Sequence, residues 1–265
     1  MSEQNQLGGV AETMLQTLYA RAKESRKPDH KIYDAKAVEI VGQMEYDFSL
    51  ADKDLAMSSG VVARTIVLDR MVSGWIQAHP DATVVNIACG MDTRFYRVDN
   101  GRIRWYDLDL PVTMEVRERY IPAGEHVTYL AASAMDEGWA GEIEPGEGDV
   151  LVIVEGLTMY LEEADVRQIL RIIDRRFAAV TVYMETLNPR FVRKRVEKSI
   201  QASGAVFTWG AKDGRELTKL APAFRWVEDV SLVEGMVEIM PVYRVIGRIG
   251  LIRNLSNRIC VLEKG

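Results

Sequence analysis

A single glycine breaks an apolar run in the stretch VVNIACGMDTRFYR, residues 84–97, and charged side chains follow it. The run is typical of a buried strand, and Gly90 ends it shortly before Asp92 and Arg94. Glycine at such a turn lets a ligand approach the backbone, because it has no Cβ and tolerates a positive φ. A dinucleotide-binding turn has the pattern G-x-G-x-x-G, whereas this chain has A-C-G-M-D-T, beginning at Ala88. The turn therefore suits a ligand that places no phosphates against the helix terminus.

A carboxylate follows the glycine turn at a spacing that suits a nucleoside. Asp107 lies in the next β-rich run, IRWYDLD, and an acidic residue about 20 residues after such a turn binds ribose hydroxyls. One glycine and one ribose-binding acid, without a phosphate-binding loop, favour a nucleoside ligand such as S-adenosylmethionine. Acidic residues also end many strands because they are solvated there, so this pattern alone leaves both interpretations open.

A second carboxylate ends the most apolar run of the chain, in VEGLTMYL at residues 154–161. Glu155 follows the segment VLVIV, and a carboxylate there is costly unless it is paired or faces a ligand. It either forms a structural pair with an arginine or faces a cation such as the ammonium or sulfonium of a cofactor. Tyr160 can direct its hydroxyl into the same cleft.

For these residues to lie in one site, the strands that precede them must end close together. The β-rich runs of the central region are TVVNIA (83–88), IRWYDLD (103–109), VTYLAA (127–132), DVLVIVE (149–155) and VTVYMETL (180–187). Helical patterns alternate with them, as in EEADVRQILRIIDRRF, whose apolar residues share one stripe. Strands that alternate with helices predict an α/β fold with a mostly parallel sheet covered on both faces.

The pattern along the chain predicts a single domain over residues 1–265. Helical spacing before the first strand predicts a helical cap over 1–80, and the alternating region predicts a cofactor-binding half over 81–187. The pattern then loosens into a predicted helical insertion over 188–222. Two β-rich runs, FRWVEDVSLV and SNRICVLEK, predict closing strands within 223–265.

Composition excludes several classes of function. The net charge of −6 does not favour a nucleic-acid-binding face. The first residues are polar and acidic, unlike a signal peptide, and the most apolar segment, 150–161, is too short to span a membrane. Cys89 and Cys260 are far apart and favour reduced thiols in the cytoplasm, and the scattered histidines predict no metal site. A single histidine, His30, remains a candidate general base.

The segments NIACGMDTRFYR, WYDLDLP and EGLTMYL, in this order and spacing, resemble the leucine carboxyl methyltransferase family. The closer similarity is to its bacterial branch of O-methyltransferases linked to polyketide biosynthesis. Further matching segments are LYARAKES, IYDAKAVEIV, RTIVLD and SAMDEGW, so the resemblance spans residues 15–190. It implies a class I S-adenosylmethionine-dependent methyltransferase, with a doubly wound, mostly parallel seven-stranded sheet and an N-terminal helical cap.

The resemblance also implies a cofactor site, residue by residue. The positions that it assigns to the cofactor are Arg64, Ala88, Gly90, Asp92, Arg94, Asp107, Leu108, Ser133, Ala134 and Glu155. Gly90 and Glu155 match the methionyl end, Asp107 the ribose-binding acid, and Ser133 with Ala134 the adenine edge. Asp92 and Arg94 match the D-T-R that orders the loop, and Arg94 can act purely as a brace. Ala88 departs from the family's first glycine, and Ser133 from an aspartate of the eukaryotic members.

The resemblance assigns the acceptor side to Arg64, Tyr160 and Arg21. Tyr160 matches a tyrosine that faces the acceptor, whereas Arg64 and Arg21 match basic residues that bind a carboxylate of cofactor or substrate. A carboxylate acceptor is already ionised at neutral pH, whereas a phenol gains from a general base, and the sequence offers no convincing base. We therefore expect O-methylation of a small-molecule carboxylate. The alternatives are a phenol or hydroxyl acceptor, a catalytically silent S-adenosylmethionine-binding protein, and a nicotinamide dehydrogenase. The sequence carries no signal for the oligomeric state.

Overall fold

One sheet of seven strands forms the centre of the protein. The computed structural model describes residues 9–146, 148–192 and 206–265, and the strand order is β3-β2-β1-β4-β5-β7-β6. The strands are β1 (Thr83–Ile87), β2 (Arg104–Asp109), β3 (Val127–Ala131), β4 (Val150–Val154), β5 (Val180–Thr186), β6 (Arg225–Ser231) and β7 (Arg258–Lys264). The first five pair in parallel, and β7 runs antiparallel to both β5 and β6. The predicted fold class and each predicted strand are confirmed.

Helices cover both faces of the sheet. Those up to β5 are α1 (Gly9–Ser25), α2 (Ala35–Gln43), α3 (Ser49–Lys53), α4 (Leu55–Ala78), α5 (Phe95–Val98), α6 (Pro111–Tyr120), α7 (Gly138–Glu142) and α8 (Glu163–Arg176). Local sequence explains several of their ends. Pro111 occupies the first turn of α6, where its missing N–H costs nothing. A capping box between Glu162 and Asp165 begins α8.

The core has two layers, because the parallel strands are buried on both faces. In β1, Val85 and Ile87 pack into one cluster with the apolar stripe of α8, whereas Val84 packs into the opposite cluster with α4. All five residues of β1 are buried. This double burial explains why the central strands are continuous apolar runs instead of alternating ones.

The segments that flank this core differ in how much the structure describes. Four helices precede β1, and Leu15 and Leu18 of α1 pack with Ile40 of α2. Of the predicted insertion over 188–222, the described part holds a 3-10 turn at Pro189–Phe191 and a helix at Gly214–Leu220. Residues 193–205 of that prediction lie outside the described residues. Three short helices separate the closing strands, at Val233–Ile239, Tyr243–Ile246 and Gly250–Leu255.

The strand order reverses beside β1, between β2 on one side and β4 on the other. In open α/β sheets the ligand crevice lies outside the carboxyl ends of the strands at this reversal. The turn after β1, the end of β2 and the end of β4 therefore meet at one place.

Candidate active site

Two residues of the turn after β1 have a positive φ angle. Ala88 has a φ of 56° and Gly90 a φ of 49°, so both adopt the left-handed region. A Cβ on Gly90 would lie 3.0 Å from the Cβ of Met14, which shows that α1 passes directly over the turn. The turn is thus exposed to a ligand on one side and closed by α1 on the other.

A cavity of about 310 Å³ opens at this turn. The predicted site residues that line it are Arg21, Arg64, Ala88, Gly90, Asp92, Leu108, Ser133, Ala134, Glu155 and Tyr160. Arg94 and Asp107 are the two predicted site residues that do not line it. We call this space the first cavity.

The expectation that Asp107 lies in the cofactor site does not match the geometry. Asp107 is fully buried and pairs with Arg117, whose Nη2 lies 2.5 Å from its Oδ2. The indole N–H of Trp105 and the amide of Asn86 donate to its other oxygen, at 2.9 and 3.0 Å. Asp107 therefore holds the end of β2 together and lies outside the wall of the first cavity.

Of the two aspartates of β2, the one that lines the first cavity is Asp109, the last residue of the strand. Its carboxylate accepts hydrogen bonds from the backbone N–H of Gly90 at 2.8 Å and of Leu110 at 2.7 Å. Burial raises the pKa of Asp109 in spite of these hydrogen bonds. A sequence signal existed, because proline is favoured at the first position of a helix, and Pro111 therefore indicates that the strand ends shortly before it.

Arg94 lies beneath the cavity as a brace. It is almost fully buried, and its guanidinium pairs with Asp92 at 2.7 Å, with Glu155 at 2.7 Å and with Asp69 at 2.9 Å. Burial raises the pKa of Glu155, but the guanidiniums of Arg94 and Arg64 outweigh it, so the pKa is lowered. Glu155 is therefore an ionised carboxylate that belongs both to a structural ion pair and to the cavity wall.

Arg64, in α4, is placed between two carboxylates. Its Nη1 lies 3.1 Å from Oε2 of Glu185, and its Nε lies 2.6 Å from Oε1 of Glu155. The second contact is an ion pair without hydrogen-bond alignment, because Nε has no acceptor in line with its N–H. Burial and these two carboxylates fix one guanidinium at the border of the first cavity.

Arg21, in α1, contacts the first cavity from the opposite side. Its Nε donates to Asp34 at 2.9 Å and its Nη2 donates to the carbonyl of Met91 at 2.6 Å. Thr13, Met14 and Thr17 of the same helix also line this cavity. Sequence reasoning missed these α1 residues, because no local pattern shows which helix will pack over the glycine turn.

A second cavity, of about 450 Å³, adjoins the first. Residues common to both walls are Thr13, Thr17, Arg64, Gly156 and Tyr160. The rest of its wall is mainly apolar and includes side chains of α4 and of the short helices between β6 and β7. Sequence reasoning did not predict this cavity.

The second cavity also has polar residues that the sequence did not indicate. Glu185 and Asn257 lie in its wall, and Glu185 is almost fully buried. The signal for Glu185 was the one recognised at Glu155, a carboxylate near the end of an apolar strand. Gly156, with a φ of 66°, donates its N–H to Glu185 at 2.9 Å.

Histidine is absent from the described parts of both cavity walls. Neither wall contains His30, His79 or His126. Burial raises the pKa of Cys89 well above its usual range, so this thiol of the first cavity is no nucleophile. Across the described residues, no group of three or more His, Cys, Asp and Glu side chains could hold a metal ion. No helix in that part of the chain is both long and apolar enough to cross a membrane.

Comparison with known proteins agrees with this geometry. The family model of leucine carboxyl methyltransferase matches residues 14–174, which contain nearly every residue of the first cavity. The chain belongs to the leucine carboxyl methyltransferase family. This family membership makes the chain an S-adenosylmethionine-dependent methyltransferase.

Two relatives extend the match over most of the chain. The tetracenomycin polyketide synthesis O-methyltransferase TcmP of Streptomyces glaucescens is 34% identical over 254 residues, which cover 93% of each chain. The S-adenosyl-L-methionine-dependent methyltransferase dpfgK of Gibberella zeae is 31% identical over 245 residues, covering 84% of this chain and 82% of its own.

Solved structures show the same fold at low identity. A SAM-dependent methyltransferase from Anabaena variabilis has a TM-score of 0.52 at 10% identity, over 77% of this chain and 86% of its own. The magnesium protoporphyrin IX methyltransferase of Synechocystis, with bound S-adenosylhomocysteine, has a TM-score of 0.50 at 10% identity, over 87% and 93%.

The first cavity of this family member fits S-adenosylmethionine. Gly90 leaves backbone accessible, and Asp109 offers a carboxylate where hydroxyl groups can donate. Ala134 and Met135 are apolar residues of its wall, and Glu155 and Arg21 contribute opposite charges to it. The wall has one glycine at the turn and no phosphate-binding loop, as a cofactor without phosphates requires.

Proposed function

We propose that this methyltransferase transfers the methyl group to a carboxylate oxygen of a small, largely apolar acid and forms a methyl ester. The second cavity is the proposed acceptor site, because its walls are mainly apolar and it shares Arg64, Gly156 and Tyr160 with the first. TcmP is an O-methyltransferase by its own name, which supports an oxygen acceptor here.

The observation that carries the proposal is that the acidic groups lining the cavities already have ion-pair or hydrogen-bond partners. Asp92 is held by Arg94, Asp109 by backbone N–H groups, and Glu155 and Glu185 by Arg64. Each already has partners, and no histidine joins them in the described walls. A phenol, with a pKa of about 10, would need a base, whereas a carboxyl group with a pKa of about 4 arrives ionised. The site therefore suits an acceptor that needs no deprotonation.

The residues of the chain have distinct proposed tasks. We assign the ribose to Asp109, replacing the sequence-based choice of Asp107, and the methionyl end to Glu155 and Arg21. Arg64 would orient the carboxylate of the acceptor from the shared wall, and Tyr160 would contact the acceptor there. Ser133 and Ala134 keep their proposed place at the adenine edge.

When bound, S-adenosylmethionine would supply a methyl group on a positively charged sulfur, and the sulfur would keep the C–S electron pair when the acceptor oxygen takes the methyl group. The protein's contribution is to align the two partners and to exclude water. Met14 and Thr17 of α1 close the first cavity over the turn, and the apolar wall of the second excludes water from the acceptor. No proton has to leave a carboxylate acceptor, so none of these residues has to accept one.

Two coarser expectations complete the proposal. We propose that the helices before β1 act as a cap, because α1 residues line both cavities. A cytoplasmic location stays a prediction, supported by Cys89 and Cys260, which are free and buried thiols. We propose that the acceptor is a small molecule and that the shape and chemistry of the second cavity select it.

The pH profile of the reaction tests the proposal. With 2-naphthoate as acceptor, kcat/KM should stay flat between about pH 6 and 9, since the carboxyl group is ionised throughout. With 2-naphthol, activity should be low and should rise toward high pH, because no base assists deprotonation. Efficient methylation of 2-naphthol at pH 7, with no turnover of 2-naphthoate, would contradict a carboxylate acceptor.

A further inference from the structure

Glu185 is a buried charge that the transfer of a methyl group to a carboxylate does not by itself require. It lies at the end of β5, in the wall of the second cavity, and is almost fully buried. A buried carboxylate is costly unless its oxygens are well supplied with donors. Its presence in the acceptor site of an enzyme for anionic acceptors therefore needs an explanation.

The hydrogen bonds of Glu185 are unevenly distributed. Oε2 accepts from Arg64 at 3.1 Å and from the backbone N–H of Gly156 at 2.9 Å. Oε1 accepts one bond among the described residues, a long one of 3.3 Å from the amide of Asn257. A carboxylate has about four lone-pair positions for donors, so Oε1 can accept a further hydrogen bond, and Glu185 lies in the wall of the second cavity.

The charge of this wall is balanced rather than positive. Arg64, the guanidinium common to both cavities, is matched by Glu185 on one side and by Glu155 on the other. An acid that presented only a carboxylate would meet Glu185 as a repulsive neighbour. An acid that also presented a hydroxyl would meet it as a hydrogen-bond acceptor, and bonds to charged acceptors are the stronger kind.

We propose that Glu185 recognises a hydroxyl group of the acceptor next to the carboxylate that is methylated, so that the acceptor is a vicinal hydroxy acid. This inference rests on the proposed function. Arg64 Nη1 lies 3.1 Å from Oε2 of the same carboxylate whose Oε1 can accept a further bond, so the ligand groups bound by Arg64 and by Oε1 must be neighbours in the ligand too. Arg64 attracts the carboxylate of the acceptor, and the hydroxyl keeps its proton and donates a hydrogen bond to Glu185.

Glu185 thus decides which oxygen is methylated as well as which acid is bound. The carboxylate oxygen faces the shared wall formed by Arg64, Gly156 and Tyr160. The hydroxyl oxygen is held at Oε1 of Glu185 by its hydrogen bond, so it is not the oxygen that faces the methyl donor. The structure assigns Glu185 a role in specificity, since it acts on the acceptor through a substituent that does not react.

The test is a competition between two acids that differ by one hydroxyl group. Purified full-length enzyme, with labelled S-adenosylmethionine, receives 3-hydroxy-2-naphthoate and 2-naphthoate together, and the two products are separated. The ratio of products gives the ratio of kcat/KM values and does not depend on how much enzyme is folded. We expect a preference of about tenfold or more for the hydroxy acid in the unmodified enzyme, from one charged hydrogen bond.

Glu185→Gln is the decisive variant, because it keeps the shape and removes the charge. We expect the preference to fall to about threefold or less, since a neutral amide is a weaker acceptor. Glu263→Gln is the matched control. Glu263 lies on β7, forms an exposed ion pair with Arg225, and belongs to neither cavity wall. This control should keep the full preference. Dividing the preference of Glu185→Gln by that of the unmodified enzyme cancels any difference in intrinsic reactivity between the two acids.

Three outcomes would overturn the inference. The first is an unchanged preference in Glu185→Gln, and the second is an unmodified enzyme without preference, both with an alkali-labile ester as product. In these two cases the proposed function stands and the role of Glu185 does not. The third is failure to methylate either acid by enzyme that binds S-adenosylmethionine. An alkali-stable methyl ether on the hydroxyl would instead contradict the proposed function itself.

Discussion

The carboxylate of Asp109 accepts a hydrogen bond of 2.8 Å from the backbone N–H of Gly90, and this bond joins the end of β2 to the turn after β1. The glycine that exposes backbone to the cofactor is therefore positioned by the acid assigned to its ribose. Asp107, two residues earlier on the same strand, makes no such contact and pairs with Arg117.

Exchanging each acid for its amide separates these two roles. Asp109→Asn should weaken S-adenosylmethionine binding by about tenfold to a hundredfold, because hydrogen bonds to charged groups contribute about 1.5–3 kcal/mol. Titration calorimetry measures the affinity. Asp107→Asn should keep the affinity within about threefold but lower the stability by about 3–5 kcal/mol, because the buried charge of Arg117 loses the carboxylate that neutralises it. The reverse pattern would restore Asp107 as the ribose-binding acid.

Cofactor affinity should depend on pH through Asp109. Burial raises the pKa of this carboxyl group, and only its ionised form is a full acceptor for ribose hydroxyls. Affinity should therefore fall as the pH falls through a value above the ordinary aspartate pKa of about 4. The sign for stability is opposite, because a raised pKa stabilises the fold at low pH and this contribution is lost as the pH rises. Calorimetry across this range should show a steeper dependence for the unmodified enzyme than for Asp109→Asn; equal slopes would exclude Asp109 as the titrating group.

The turn after β1 holds strain that a glycine should release. Ala88 has a φ of 56°, and this conformation costs an L-residue about 1–2 kcal/mol. Ala88→Gly should raise the free energy of unfolding by up to about 1 kcal/mol, after the entropy that glycine adds to the unfolded chain. Ala88→Val should lower it, since a β-branched residue fits this region poorly. Chemical denaturation measures both changes. Destabilisation by Ala88→Gly would show that the alanine methyl group contributes more by packing than it costs by strain.

Arg64→Lys should lower kcat/KM by about tenfold or more while leaving the protein folded. Lysine keeps the charge but is a point donor, so it does not reproduce the planar guanidinium that spans Glu155 and Glu185. Arg70→Lys is the matched control on the same helix, because Arg70 forms an exposed pair with Glu234. Circular dichroism and thermal unfolding verify the fold of both variants. Equal activity of the two would remove Arg64 from the proposed site.

The fold could be predicted closely from the sequence because each central strand is buried on both faces. Such strands are continuous apolar runs, and the runs at β1 and β4 ended within a residue or two of the observed strands. The convergence of Gly90 and Glu155 followed from the rule that parallel strands end at the same edge. The burial of Asp107 could not be predicted from the sequence. Asp107 and Asp109 are two residues apart on one strand, so they point to the same face and differ only in how deeply they are buried.

The proposed acceptor site could not be predicted from the sequence. Its wall combines α1, α4 and the helices between β6 and β7, which are far apart in the chain. No periodicity reports which helices pack together across such distances. Glu185 was visible as a carboxylate in the run VTVYMETL, but its meaning depends on Arg64, 121 residues away.

The most direct test of the central claim is the chemical nature of the product. Enzyme is incubated with S-adenosylmethionine labelled in the methyl group and with 3-hydroxy-2-naphthoate, which offers a carboxylate and a hydroxyl in one molecule. The purified product is then treated with mild alkali. A carboxylate acceptor predicts that the label is released as methanol, whereas label that stays on the ring as an alkali-stable ether would contradict it.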